Sequence, residues 1–97
     1  MEKALEGELE KGQIVISKAG RDKGKHMVVA KVESETYVLL VDGSSRKVAS
    51  PKRKKVKHIA KTLTVIEGFG AMIERDDADA CIRKILYSYK QPGKERE

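Results

Sequence analysis

Aromatic residues make up only 4% of this 97-residue chain: tryptophan is absent, phenylalanine occurs once and tyrosine three times. A domain that holds its ligand by stacking on an aromatic platform needs more exposed rings than that, and Tyr37 and Tyr89 stand at positions that read as core. Base stacking is therefore not expected as a main binding mode. Cysteine is reduced to Cys81, which excludes an intramolecular disulfide and a cysteine-based zinc cluster. It reads as a small buried apolar side chain in a reducing compartment. The histidines, His26 and His58, are 32 residues apart with no third to join them, so no metal-ligating set is legible. No apolar run approaches the roughly 18 residues of a membrane-spanning helix. The opening "MEKALEGELE" is acidic, unlike a signal or transit peptide, and a cytoplasmic protein with no membrane partner is expected.

Catalytic constellations are missing as well. "GRDKGKH" has the glycines and lysine of a phosphate-binding loop, but a P-loop needs four residues between its glycines and a serine or threonine after the lysine. Here three residues separate Gly20 from Gly24, and His26 follows Lys25. "GFG" at 68–70 reads as a turn. Asp76, Asp77 and Asp79 stand where a helix would begin and read as capping, not as paired catalytic carboxylates. No enzyme is expected, and no cofactor or metal is called for.

What the chain has in excess is positive charge: 21 lysines and arginines against 15 acids, a net charge of +6. Its distribution says more than the sum. Residues 46–61, "RKVASPKRKKVKHIAK", hold eight basic residues and no acid, and residues 11–31 hold six against Asp22. The acids gather elsewhere, four of them in residues 1–10 and five in residues 62–82. A block of like charge is commonly only a solvated face or a tail. Val48, Val56 and Ile59 are interleaved through the longer run, however, and tie it to a core. A tethered basic patch is the footprint of a polyanionic partner, nucleic acid first. "PKRKKVK" also has the composition of a nuclear-import signal, a pattern that nucleic-acid-binding proteins share for other reasons.

Period-2 alternation and β-branched residues predict strands at "GQIVISK", "HMVVAKV" and "TYVLLVD". The third is apolar on both faces, Tyr37, Leu39 and Val41 against Val38 and Leu40, and should be covered on both. Asp42-Gly43 marks a tight turn, followed by a short fourth strand at "RKVAS" that Pro51 ends. "PKRKKVKHI" reads as a turn into a last strand through "HIAKTLTVI". The period then changes: Ala78, Cys81, Ile82, Ile85, Leu86 and Tyr89 share one helical face, with Asp76 or Asp77 as N-cap. Short sequential strands hide their edges most economically by curling into a small barrel, with the helix laid on the outside.

Across "GQIVISKAGRDKGKHMVVAKV", "VLLVDG" and "RKVASPKRKKVKHI" the chain resembles the KOW motif, a strand, a glycine-bearing basic loop and a second strand within an SH3-like barrel. The layout of residues 11–90, including "KHIAKT" and "DDADACIRKIL", is similar to that of large-subunit ribosomal proteins of the fourteen-e type and their short bacterial RNA-binding relatives. The resemblance implies a mainly β fold, a small SH3-like barrel of about five antiparallel strands with one C-terminal α-helix. It divides the chain into an acidic lead (1–10), the barrel (11–68), an acidic connection with the helix (69–90) and a disordered tail (91–97).

The implied activity is binding of structured RNA, above all ribosomal RNA of the large subunit, with ribosomal proteins as further neighbours. Family contacts carry over to Arg21, Lys23, Lys25 and His26 in the first loop. In the second basic stretch they carry over to Arg46, Lys47, Lys52, Arg53, Lys54, Lys55, Lys57 and His58. Gly20 and Gly24 would shape the loop. Lys52, Arg53, Lys54 and Lys55 all read as exposed. Lysines would serve as point charges to phosphates and arginines as forks, positioning a rigid module with little sequence readout. KOW modules of transcription elongation and antitermination factors look alike too, so the rival expectation is a protein-interaction module. Nothing in the sequence calls for an obligate dimer, and a monomer is expected when free.

Overall fold

A computed structural model describes residues 9–89. Most of the expected acidic lead, the last residue of the expected helix and the expected disordered tail lie outside the described residues.

The β-branched alternation becomes strands β1 (Gln13–Ser17), β2 (His26–Val32), β3 (Tyr37–Val41) and β5 (Ile59–Val65), with β4 (Lys52–Lys55) between the last two. All five form one antiparallel sheet in the order β4-β3-β2-β1-β5. A 3-10 turn, Val56–His58, joins β4 to β5. In a flat sheet of this order β4 and β1 would lie about 14 Å apart, three strand spacings. Yet Lys54 Nζ on β4 donates to Ser17 Oγ on β1 at 2.9 Å, and the Lys18 amide donates to the His58 carbonyl at 2.8 Å. The sheet is curled on itself into a small barrel of SH3-like layout.

Alternation along the strands sorts the apolar residues onto two faces. Val15, Met27, Val29, Val38, Leu40 and Ile59 fill the interior, with Val56 packed against them. Ile14, Val28 and Val41 point outward and are covered by Phe69, Ile82 and Leu86, so the outer face of β3, expected to be covered along its length, is buried only at Val41, with Tyr37 and Leu39 half-buried. Each buried side chain contributes about 1.5–3 kcal/mol. Phe69 belongs to a short helix, α1 (Phe69–Met72), where "GFG" had read as a plain turn. Ile82 and Leu86 belong to α2 (Ala78–Tyr89), whose stripe of Ala78, Ile82 and Leu86 is buried, with Cys81, Ile85 and Tyr89 half-buried beside it.

Two further sequence expectations fail here. "RKVAS" is not a strand: residues 43–50 form a loop, and β4 starts after Pro51, within the basic run itself. The loop's amides bond within the loop or to side chains instead of a ladder, those of Gly43 and Ser50 donating to the carbonyls of Arg46 and Lys47. Asp42 Oδ1 accepts from the amides of Ser44 and Arg46, both at 2.8 Å, and Asp79 Oδ1 on α2 accepts from that of Val48 at 2.9 Å. The basic run pairs instead, Lys52 opposite Leu40 through Lys55 opposite Tyr37, on an edge strand where lysines discourage pairing with other chains. Secondly, Tyr37 is not core. It is half-buried on the outer face, and the Arg53 guanidinium lies 3.8 Å from its ring centroid.

Candidate nucleic-acid interface

The strand register brings the two basic segments together. Ile16 pairs with His26 and Val28 with Val41, so the loop after β1 and the loop after β3 leave from the same ends of their strands. Asp22 fastens one to the other. It is 4% exposed, its Oδ1 lies 3.6 Å from Lys25 Nζ, and its Oδ2 accepts from Arg46 Nη2 at 3.5 Å. Lys25 Nζ also donates to Ser45 Oγ at 3.2 Å and stands 4.0 Å from Asp42. The single acid of the first basic block thus holds a cation from each segment in place.

A second fastening runs through β4. Lys54 faces the barrel interior opposite Val38 and is 8% exposed. Its ammonium donates to Ser17 Oγ at 2.9 Å and to the Ala19 carbonyl at 2.8 Å. Lys54 therefore anchors the start of the basic loop to β4, and the expectation that it is an exposed phosphate contact is corrected. Desolvation explains the difference: a buried ammonium is tolerated only when hydrogen-bonded, and one strand position inward is enough to bury it. Gly20 and Gly24 have φ of +80° and +87°, the left-handed turns that let the loop fold back on Ser17, whose carbonyl accepts from the Gly24 amide at 2.7 Å.

The remaining candidates divide by what they already hold. Arg21, Lys23, Lys47, Lys55 and Lys57 are exposed and make no ion pair among the described residues. Arg53 is exposed but engaged, donating from Nε to Glu33 Oε1 at 2.9 Å while stacked on Tyr37. Lys52 and His58 are half-buried and line a shallow depression with Ala19, Gly20, Tyr37 and Lys55. His26 is half-buried at the start of β2, its ring edge-on to Tyr89 with centroids 5.6 Å apart. Lys25 and His26 open onto a different groove, between the β3–β4 loop and α2. The candidate interface comprises the two basic loops and β4, bordered by the depression beside Lys52 and His58, the groove beside Lys25 and His26, and a further depression that Lys55 and Lys57 line with Glu35 and Thr36.

Sequence reasoning missed the three aspartates that organise this interface. Asp22 was legible only as a lone acid among cations, and Asp42 only as a turn former. Asp79 read as a helix cap, whereas its carboxylate reaches 31 residues back to Val48. Lys18 was also passed over; it is exposed beside the basic loop. Among the described residues no group of three or more His, Cys, Asp or Glu could hold a metal ion, and no helix is long and apolar enough to cross a membrane. No family model matches the chain, and no curated protein matches it.

Proposed function

We propose that the chain is an RNA-binding module of the KOW type, cytoplasmic and ribosome-associated, that docks on structured ribosomal RNA of the large subunit and carries out no catalysis. One observation carries this reading. Two basic segments, far apart in sequence, are fastened to one another through Asp22 and Lys54, and Arg21, Lys23, Lys47, Lys55 and Lys57 on these segments are exposed without ion pairs among the described residues. A surface that spends buried acids and hydrogen bonds on aligning cations is suited to an array of phosphates whose spacing is set by RNA shape. The KOW-like layout of the sequence points the same way. Sedimentation of the tagged chain in lysate at low and high salt, with crosslinking to identify bound RNA, tests it. Comigration with the large subunit and crosslinks to its RNA are expected; migration at the top of the gradient at both salts would overturn the proposal.

A second reading, a KOW-type protein-interaction module in transcription elongation or antitermination, is favoured by one feature. Leu63 is 98% exposed where β5 bulges against β1, Val65 pairing with Gln13 and Lys61 with Val15. The bulge is held by Gln13 Nε2 donating to the Thr62 carbonyl at 2.9 Å and Thr62 Oγ1 donating to the Ile14 carbonyl at 2.7 Å. Val65, two residues along β5, is also exposed at 40%, and neighbouring exposed apolar side chains suit an apolar pocket on a protein. Retention in complexes after nuclease treatment supports this reading; release supports RNA.

A further inference from the structure

Along α2, Asp79, Arg83 and Tyr87 follow one another at i, i+4 and i+8, a single row on the helix surface. The β3–β4 loop packs against the first two. Asp79 accepts the Val48 amide, and Arg83 Nη1 donates to the Gly43 carbonyl. Gly43 sits so close to the helix that a Cβ there would lie 2.3 Å from the Asp79 carbonyl. The third member meets no such cover. Tyr87 is 62% exposed, beside buried Leu86, in the groove that Lys25, His26 and Ser44 also line.

We infer that this groove takes a single unpaired nucleotide of the bound RNA, its base stacked on Tyr87 and its phosphate at Lys25. The inference rests on the RNA reading above and adds a subsite to it. Three features favour a nucleotide over other occupants. The groove is lined by the exposed Tyr87 beside buried Leu86, and an exposed aromatic ring is a group on which bases stack. The rim is cationic and continuous with the proposed interface, because Lys25 belongs to the basic loop. The one carboxylate in the groove, Asp42, is already engaged: its oxygens accept from the amides of Ser44 and Arg46 and from Ser45 Oγ, with Lys25 Nζ 4.0 Å away. It therefore presents little uncompensated charge to a phosphate.

The test compares the full chain's affinity for a fully paired RNA hairpin and for the same hairpin carrying one bulged adenosine. Stacking of a single base is worth about tenfold in affinity, so the bulged hairpin should bind about tenfold tighter. Tyr87→Ala should erase that preference while leaving the affinity for the paired hairpin and its salt dependence unchanged, and Tyr87→Phe should retain the preference. Tyr87 is exposed on a helix surface, so neither variant threatens the fold. Equal binding of both hairpins by the unaltered protein, with the salt dependence of a phosphate interface, would overturn the nucleotide subsite and leave the RNA reading standing. A Tyr87→Ala loss common to both hairpins would overturn it equally. Binding of neither hairpin would overturn the RNA reading, and the subsite with it.

Discussion

Substituting alanine for Gly43 and, separately, for Gly24 isolates the contact that docks the β3–β4 loop on α2. Both glycines have positive φ, +79° and +87°, so each alanine bears the left-handed penalty of about 1–2 kcal/mol. They differ in what surrounds them. Nothing lies within 4 Å of a Cβ at Gly24, whereas a Cβ at Gly43 meets the Asp79 carbonyl at 2.3 Å, Arg83 Cγ at 3.0 Å and the Arg83 amide nitrogen at 3.2 Å. Two of those atoms are helix backbone and cannot swing aside, so the loop must lift. Lifting strains the packing by about 1–3 kcal/mol. It also weakens the bonds from Arg83 to Gly43 and from Val48 to Asp79, about 1 kcal/mol each. Gly24→Ala should therefore cost about 1–2 kcal/mol and Gly43→Ala about 3–7 kcal/mol, a large share of the 5–15 kcal/mol typical of a small domain. Urea unfolding followed by circular dichroism measures both. In melting temperature the alanine at Gly24 should cost roughly 4–16 °C and that at Gly43 about three times as much. Costs that agree within about 0.5 kcal/mol, the scatter of an ordinary surface substitution, would show that the loop is not held against the helix.

Neighbouring lysines on β4 should behave oppositely: Lys54→Ser should destabilise by about 2–3 kcal/mol, losing charge-assisted bonds to Ser17 and Ala19. Lys55→Ser should leave stability within about 0.5 kcal/mol and weaken RNA binding, as paired denaturation and binding curves would show. Asp22→Asn adds positive charge to the interface yet should lower RNA affinity roughly threefold, because Lys25 and Arg46 lose the group that aligns them; a rise in affinity would mean that alignment does not matter. The hydrogen bond from Arg75 holds the exposed Asp77 carboxyl below its ordinary value. A lowered folded-state pKa contributes stability above the unfolded value and loses it as pH falls through the folded one. Carbon-detected NMR titration should therefore find Asp77 ionised to below the ordinary aspartate range, and Arg75→Gln should return it to that range with little change in overall stability.

The residues that alternate were the ones whose structure could be read in advance. Ile14, Val15, Val28, Val29, Val38 and Leu40 declare their strands because the pleat alone sorts them between two apolar surfaces. The face of α2 was equally plain from its period. The fourth strand was misplaced because "RKVAS" carries the valine and "KRKK" does not. Edge pairing depends on which amides remain available, and Asp42 and Asp79 had taken those of the loop. The basic character of the interface was legible as composition. Which cations are offered to a partner and which are spent internally was not, because Lys54 and Lys55 differ only in the face of β4 they occupy. Asp22 could not be read as the clasp between the loops before the register was known.

The central claim is that five exposed cations act together on phosphates, and the salt dependence of binding tests it most directly. Titrating the full chain against a structured RNA hairpin over a range of salt concentrations should give a slope of log K against log salt of about −3.5 to −4.5, the value for five neutralised phosphates. In a variant with Arg21, Lys23, Lys47, Lys55 and Lys57 all changed to serine, the slope should fall to about −1 or less in magnitude, the share of a single remaining contact such as Lys25, while the melting temperature holds. A flat slope for the unaltered protein, or an undiminished slope in the folded variant, would contradict the account.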